Sequence, residues 1–147
     1  MKDFGIVEIL IVEDNPQDAE LIVRSLKSKN LANNLYLVED GAEALDFLFC
    51  KGKYSDRSTL LPPKVVLLDI KLPKLNGLEV LKALKGNELT KNIPIVIVTS
   101  SSEEPDMVEA YKLGVNSYVV KPVDFNQFVN AMSNLGLYWL VINQPLR

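Results

Sequence analysis

The chain has 147 residues, 48% of them hydrophobic and 24% charged, with a formal net charge of −3. That is the length and composition of one globular domain rather than a disordered tail, and it offers no basic excess to neutralise the phosphates of a nucleic acid. Cys50 is the sole cysteine and histidine is absent, which excludes an internal disulfide, a multi-cysteine metal site, Ser/His and Cys/His nucleophiles and the usual transition-metal ligands.

The segment from Met1 to Ile11 carries Asp3 and Glu8 and lacks a basic start, unlike a signal peptide. The first expected strand, Val7–Val12, overlaps its end. Asn15-Pro16 then reads as a cap with proline in the first turn, ahead of Ala19, Ile22, Val23 and Leu26 at helical spacing. A second strand is expected at Leu35–Val38. Asp40 with Glu43 reads as a capping pair opening the next helix. Gly52–Pro63 is irregular and is expected to be a surface loop. Val65–Leu68 is a third strand, followed by a helix opened by Asn76 and Glu79. Ile95–Val98 is a fourth strand, and Pro105 opens a helix that Gly114 closes. Ser117–Val120 is a fifth strand. Asp124 with Gln127 opens a last helix, whose core stripe is Phe125, Phe128, Val129 and Met132. No apolar run approaches the ~20 residues of a membrane span, so a cytoplasmic protein with no membrane partner is expected.

Strand and helix alternating through one short domain imply an α/β fold, a doubly wound, five-stranded parallel sheet with helices on both faces. The expected domain is single, residues 1–147, with a core of about 7–135 and an apolar extension over 136–147. In such sheets ligands bind beyond the carboxyl ends of the strands. There this chain places Glu13-Asp14 after the first strand, Asp69 after the third, Thr99 at the fourth and Lys121 after the fifth. Each residue alone has a plain structural reading: Asp14 as a cap, Thr99 as a turn residue, Lys121 as a solvated charge. Together, three acids, a hydroxyl and an amine suit a hard cation and a phosphoryl group, and buried like charges need a cation to compensate them.

The segments LIVEDNPQDAELI, VVLLDIKLPKLNGLEVL, IPIVIVTSS and GVNSYVVKPVDF resemble, in order, the signatures of bacterial response-regulator receiver domains, the family of the chemotaxis receiver. The likeness runs from about Val7 to Leu135. The long loop before the third strand and the ending LGLYWLVINQPL resemble single-domain regulators that partner phytochrome-type sensor histidine kinases. The resemblance implies a flavodoxin-like fold with strand order 2-1-3-4-5. It implies that Asp69 is the phosphoacceptor, that Glu13, Asp14, Asp69 and the main-chain carbonyl of Lys71 hold Mg²⁺, and that Lys121 pairs with the acceptor and then with the phosphoryl group. Thr99 and Tyr118 match the switch hydroxyl and switch aromatic, and Lys121-Pro122 a peptide bond that is cis in the family. Glu13 stands where an aspartate is common and is expected to reach the metal through water. Lys71 occupies a position that tunes dephosphorylation in the family.

The donor implied is a phosphohistidine on a partner kinase, since this chain has no histidine. It would act as a self-dephosphorylating acceptor, not a turnover enzyme. With no effector domain expected after the receiver, output is expected through a protein contact at the face built from the fourth helix, fifth strand and fifth helix. There a homodimer is expected, with Tyr111, Tyr138 and Trp139 as anchors. A haloacid dehalogenase-type hydrolase would need a second aspartate and a threonine where Lys71 and Pro73 stand. No glycine-rich nucleotide loop occurs. A phosphorylation-independent binding module remains the alternative, and loss of Asp69, Asp14 or Lys121 would have favoured it; all three are present.

Overall fold

A computed structural model describes residues 7–28, 34–121 and 126. Strands β1 (Ile9–Val12), β2 (Leu35–Val38), β3 (Val65–Leu68), β4 (Ile95–Thr99) and β5 (Ser117–Val120) alternate with helices α1 (Pro16–Ser28), α2 (Gly41–Phe49), α3 (Gly77–Lys85) and α4 (Glu104–Lys112). All strand pairs are parallel, and the order is β2-β1-β3-β4-β5. The expected last helix, the Lys121-Pro122 bond beyond Lys121, Tyr138, Trp139 and the 136–147 extension lie outside the described residues.

The central strands β1, β3 and β4 are apolar, save for Thr99 at the end of β4, because both their faces are covered. Leu10 and Val12 of β1, Val66 and Leu68 of β3, and Ile95 and Ile97 of β4 meet Phe47 of α2, Leu81 and Leu84 of α3 and Ala110 of α4. The alternate residues Ile9, Ile11, Val65, Leu67, Val96, Val98 and Val119 pack with Ile22, Val23 and Leu26 of α1. This two-residue alternation puts α1 on one face and α2, α3 and α4 on the other.

The caps behave largely as the sequence predicts. The Asn15 side chain accepts from Asp18 N at 3.0 Å, Asp40 accepts from Glu43 N at 2.7 Å, and Asn76 with Glu79 forms a complete capping box. Two details differ. Val7 is buried, but the registered ladder begins only at Ile9 opposite Leu35. The stretch after α2 is not wholly a surface loop: Gly52–Tyr54 forms one 3-10 turn that drops Tyr54 fully into the core, against the rings of Phe47 and Tyr36.

Candidate functional site

Register gathers the site. Val12 of β1 is paired with Leu68 of β3, and Thr99 of β4 with Val120 of β5. The residues that follow the paired ends, Glu13, Asp69 and Lys121, therefore emerge side by side on the carboxyl rim, with Thr99 between β3 and β5. Carboxylate oxygens of Glu13, Asp14 and Asp69 lie within 4.8 Å of one another. Glu13 and Asp69 are buried, whereas Asp14 is exposed.

The main chain under Asp69 is tightly held. Asp69 N donates to Val12 O at 3.1 Å, and Gly77 N at the head of α3 donates to Ile70 O at 2.6 Å. A Cβ on Gly77 would stand 2.7 Å from Ile70 Cα and collide with the Asp69 carbonyl oxygen, so only glycine allows α3 to start this close to the acid. Asp69 Oδ1 accepts from Ile70 N at 2.7 Å, and its Oδ2 accepts from Lys121 at 3.1 Å.

Lys121 uses its ammonium fully. Besides Asp69 it donates to Glu13 Oε1 at 2.5 Å and to Asp18 Oδ2 at 2.8 Å. Burial would lower its pKa, but the bonds to Asp18 and Glu13 and the charges of Asp69 and Glu13 outweigh burial and raise it. It is therefore a fixed cation. Glu13 is shifted up, chiefly because burial disfavours its charge, against the opposing bonds from Lys121 and Asn15 N. The sequence did not single out Asp18. An acid in a helix's first turn is an ordinary complement to the helix dipole, and only the three-dimensional meeting of α1 with the end of β5 reveals its second role.

Thr99 is fully buried, and its Oγ1 accepts from Ser101 N at 3.3 Å. The Tyr118 hydroxyl donates to Ser101 O at 2.9 Å. Burial, together with nearby acidic charge, pushes this phenol up, so it stays a donor. Ser101 Oγ in turn donates to Asp106 Oδ2 of α4 at 2.6 Å. One three-residue segment thus links the buried hydroxyl, the half-buried ring and the start of α4. Lys71 is exposed beside the site. Tyr111 lies on α4, exposed, with its ring 6.4 Å from that of Tyr118.

The donor set suits a small hard cation. Opposite oxygens around Mg²⁺ stand about 4 Å apart, close to the separation of these carboxylates, and the one half-buried lysine among them leaves an excess of negative charge for a divalent ion to neutralise. A groove of about 680 Å³ runs outward from Glu13 and Asp14 between α1 and the β2 edge, past Pro16, Ala19 and Leu37.

This topology and rim are those of phosphoacceptor domains of two-component signalling. The chain belongs to the response regulator receiver domain family, whose pattern matches residues 9–133. It is 35% identical over 132 residues to response regulator Rcp1 of Synechocystis sp., covering 90% of this chain and 88% of that one. To a probable methanogenesis regulatory protein, FilR2, of Methanothrix harundinacea it is 36% identical over 136 residues, covering 92% and 85%. The solved bacteriophytochrome response regulator RtBRR superposes with a TM-score of 0.84 at 48% identity, over 97% of this chain and 85% of that one. A Mn²⁺-bound form of Rcp1 superposes at 0.76 with 33% identity, over 96% and 99%.

Proposed function

We propose that this receiver accepts a phosphoryl group on Asp69 from a phosphohistidine of a sensor histidine kinase, with Mg²⁺ in the carboxylate cluster, and signals through the α4 and β5 face. The observation that carries the reading is the buried Asp69 carboxylate, aligned by Ile70 N and Lys121 within 4.8 Å of the Glu13 and Asp14 oxygens. An Asp69 oxygen attacks phosphorus in line, the P–N bond breaks as the O–P bond forms, and the imidazole leaves with the electron pair and takes up a proton. Lys121 meets charge that spreads over the phosphoryl oxygens, and the Thr99 hydroxyl turns to donate to one of them.

Asp14, Asp69 and the Lys71 carbonyl would hold Mg²⁺ directly. Glu13 would act through water, in keeping with both its oxygens already being engaged, by Lys121 and by Asn15 N. Bound there, Mg²⁺ supplies positive charge to the transferring group. Water attack on the phosphoryl group later restores Asp69 and releases phosphate, so the chain is an acceptor that is regenerated rather than a turnover enzyme. The exposed Lys71, two residues after Asp69, would tune that step.

These 147 residues hold no histidine to serve as donor, and likeness to bacteriophytochrome response regulators favours a phytochrome-type kinase. Its histidine is charged from ATP, which places the exchange in the cytoplasm. No described helix is long and apolar enough to cross a membrane, and the net charge of −3 does not favour nucleic acid. We assign output to protein contact, including pairing of two copies through the α4 face.

The decisive experiment is phosphorylation of wild type and Asp69→Asn by acetyl phosphate with Mg²⁺. Wild type should take one phosphoryl group and the variant none, because an amide is no nucleophile. Full incorporation in the variant, mapped to another residue, would overturn the assignment.

A further inference from the structure

We propose that Asp18 is a positioning residue: its carboxylate anchors the Lys121 ammonium beside Asp69 while the phosphoryl group is transferred. This rests on the reading of Asp69 as acceptor. A lysine ammonium has three donors, and here each is spent on a different acid: Glu13 at 2.5 Å, Asp18 at 2.8 Å and Asp69 at 3.1 Å. Two of those partners change when the site works. Glu13 and Asp69 belong to the carboxylate cluster that suits a divalent cation, and a cation there draws their electron density away from Lys121. Phosphorylation then converts the Asp69 carboxylate into an acyl phosphate, which is a different acceptor in shape and charge. Asp18 is outside the cluster, so neither the cation nor the phosphoryl group alters it directly.

That place is well defined. Asp18 N donates to Asn15 Oδ1 at 3.0 Å, so the cap that starts α1 also fixes the residue, and a carboxylate is favoured in the positive first turn. Lys121 reaches it from the end of β5, 103 positions along the chain. A four-carbon stem freed from such an anchor regains rotamers that lower the fraction of time its charge faces the phosphoryl oxygens. The positioning is selective: Asp18 acts on the cation that meets the transferring group and not on the metal.

The test compares wild type, Asp18→Asn, Asp18→Glu and Lys121→Ala for the rate of Asp69 labelling by acetyl phosphate, and for Mg²⁺ affinity by calorimetry. Asp18→Asn should label about fivefold more slowly, the scale of one partly exposed charged hydrogen bond, with Mg²⁺ affinity within about twofold of wild type. Asp18→Glu, which restores the charge on a flexible stem, should recover most of the rate. In the Lys121→Ala background, Asp18→Asn should have no further effect, a result that a purely structural role in α1 would not give. Wild-type labelling of an unimpaired Asp18→Asn variant would overturn the anchor alone. A Mg²⁺ affinity falling in step with the rate would overturn it too, by making Asp18 part of the metal's field. Wild type that takes no label would overturn the acceptor reading and the anchor with it.

Discussion

Glu43 joins the irregular segment after α2 to the helix itself. Its carboxylate accepts from the buried Tyr54 hydroxyl at 2.5 Å and pairs with Lys53 at 3.1 Å. Since Tyr54 gives its proton to Glu43, the 3.2 Å bond it shares with Tyr36 is donated by Tyr36. Burial opposes the charge on Glu43, but the bonds from Tyr54 and Lys53 prevail and hold its pKa below the ordinary 4.5. The folded state therefore binds this proton less readily than the unfolded chain does. The stability it contributes is full above about pH 4.5 and is lost as pH falls through the lower, folded value. Glu43→Gln should lose that component, so that urea midpoints measured from pH 6 to pH 3 fall less steeply than in wild type; equal slopes would refute the linkage. The sequence makes Glu43 legible as half of a capping pair and leaves Tyr54 unremarked, because a lone tyrosine in a polar stretch carries no periodicity to say it is inside. Glu13, Asp69, Thr99 and Lys121 are legible for the opposite reason. Each ends an apolar run, and strand ends in a parallel sheet converge on one rim. Asp18 is not legible, since its partner is fixed by tertiary packing alone.

At the scale of elements, β1, β3 and β4 are clear in the sequence because near-continuous Val, Ile and Leu fit a doubly covered sheet, whereas the edge strands β2 and β5 carry Tyr36, Ser117 and Tyr118 and are less buried. Ladder limits are less clear: Val7 is as apolar as Ile9, and backbone pairing, not hydrophobicity, decides where β1 begins. The start of α3 is the element boundary with functional weight. The capping box of Asn76 and Glu79 marks it in the sequence, but nothing there shows that Gly77 rests against the main chain of Asp69. Gly41, at the head of α2, has a matching seat, since a Cβ there would lie 2.8 Å from Leu75 Cβ and clash with the Leu75 carbonyl oxygen. The loop between Asp69 and α3 is thus held between two helix N-termini, with Lys74 Nζ 3.4 Å from Asp40 at its outer edge. Gly77→Ala should cost about 1–3 kcal/mol as an overpacked contact against backbone, lowering the thermal midpoint. It should also weaken Mg²⁺ binding measurably, because the atoms displaced belong to Asp69 and Ile70. Gly86→Ala is the control: a Cβ there would meet Lys82 O at 3.2 Å and Ala83 O at 3.9 Å, at the other end of α3 from Asp69. A Gly77→Ala protein with wild-type midpoint and Mg²⁺ affinity would show that the loop has slack.

For the whole molecule, the question is how an event at Asp69 reaches a partner. The path is made of contacts already described: Thr99 to Ser101 N, Ser101 O to the Tyr118 hydroxyl, and the Tyr118 ring to Tyr111 on the outside of α4. Two positions matter. Thr99 is fully buried at the end of β4, and Tyr111 is 52% exposed, with Val108 one turn earlier on the same helix also exposed. On the proposed phosphorylation, a shift of the Thr99 side chain toward a phosphoryl oxygen would stretch the 3.3 Å bond it accepts from Ser101 N, and the segment that Tyr118 holds would resettle. The Tyr118–Tyr111 ring pair, spanning inside and outside, would then carry the change to an apolar spot on the surface, where aromatic anchors serve recognition. Tyr138 and Trp139, the other expected anchors, lie outside the described residues, so the prediction is placed on Tyr111. Self-association should be measurable by sedimentation across a concentration series, and should tighten when a phosphoryl mimic such as beryllofluoride is added with Mg²⁺. Tyr111→Ala should weaken pairing by about tenfold, the effect of truncating one aromatic anchor, while leaving Asp69 labelling at the wild-type rate. Monomeric behaviour at every concentration, with and without the mimic, would sink the pairing and leave α4 as a surface for a different protein. A dimer indifferent to both the mimic and Tyr111 would separate assembly from the switch.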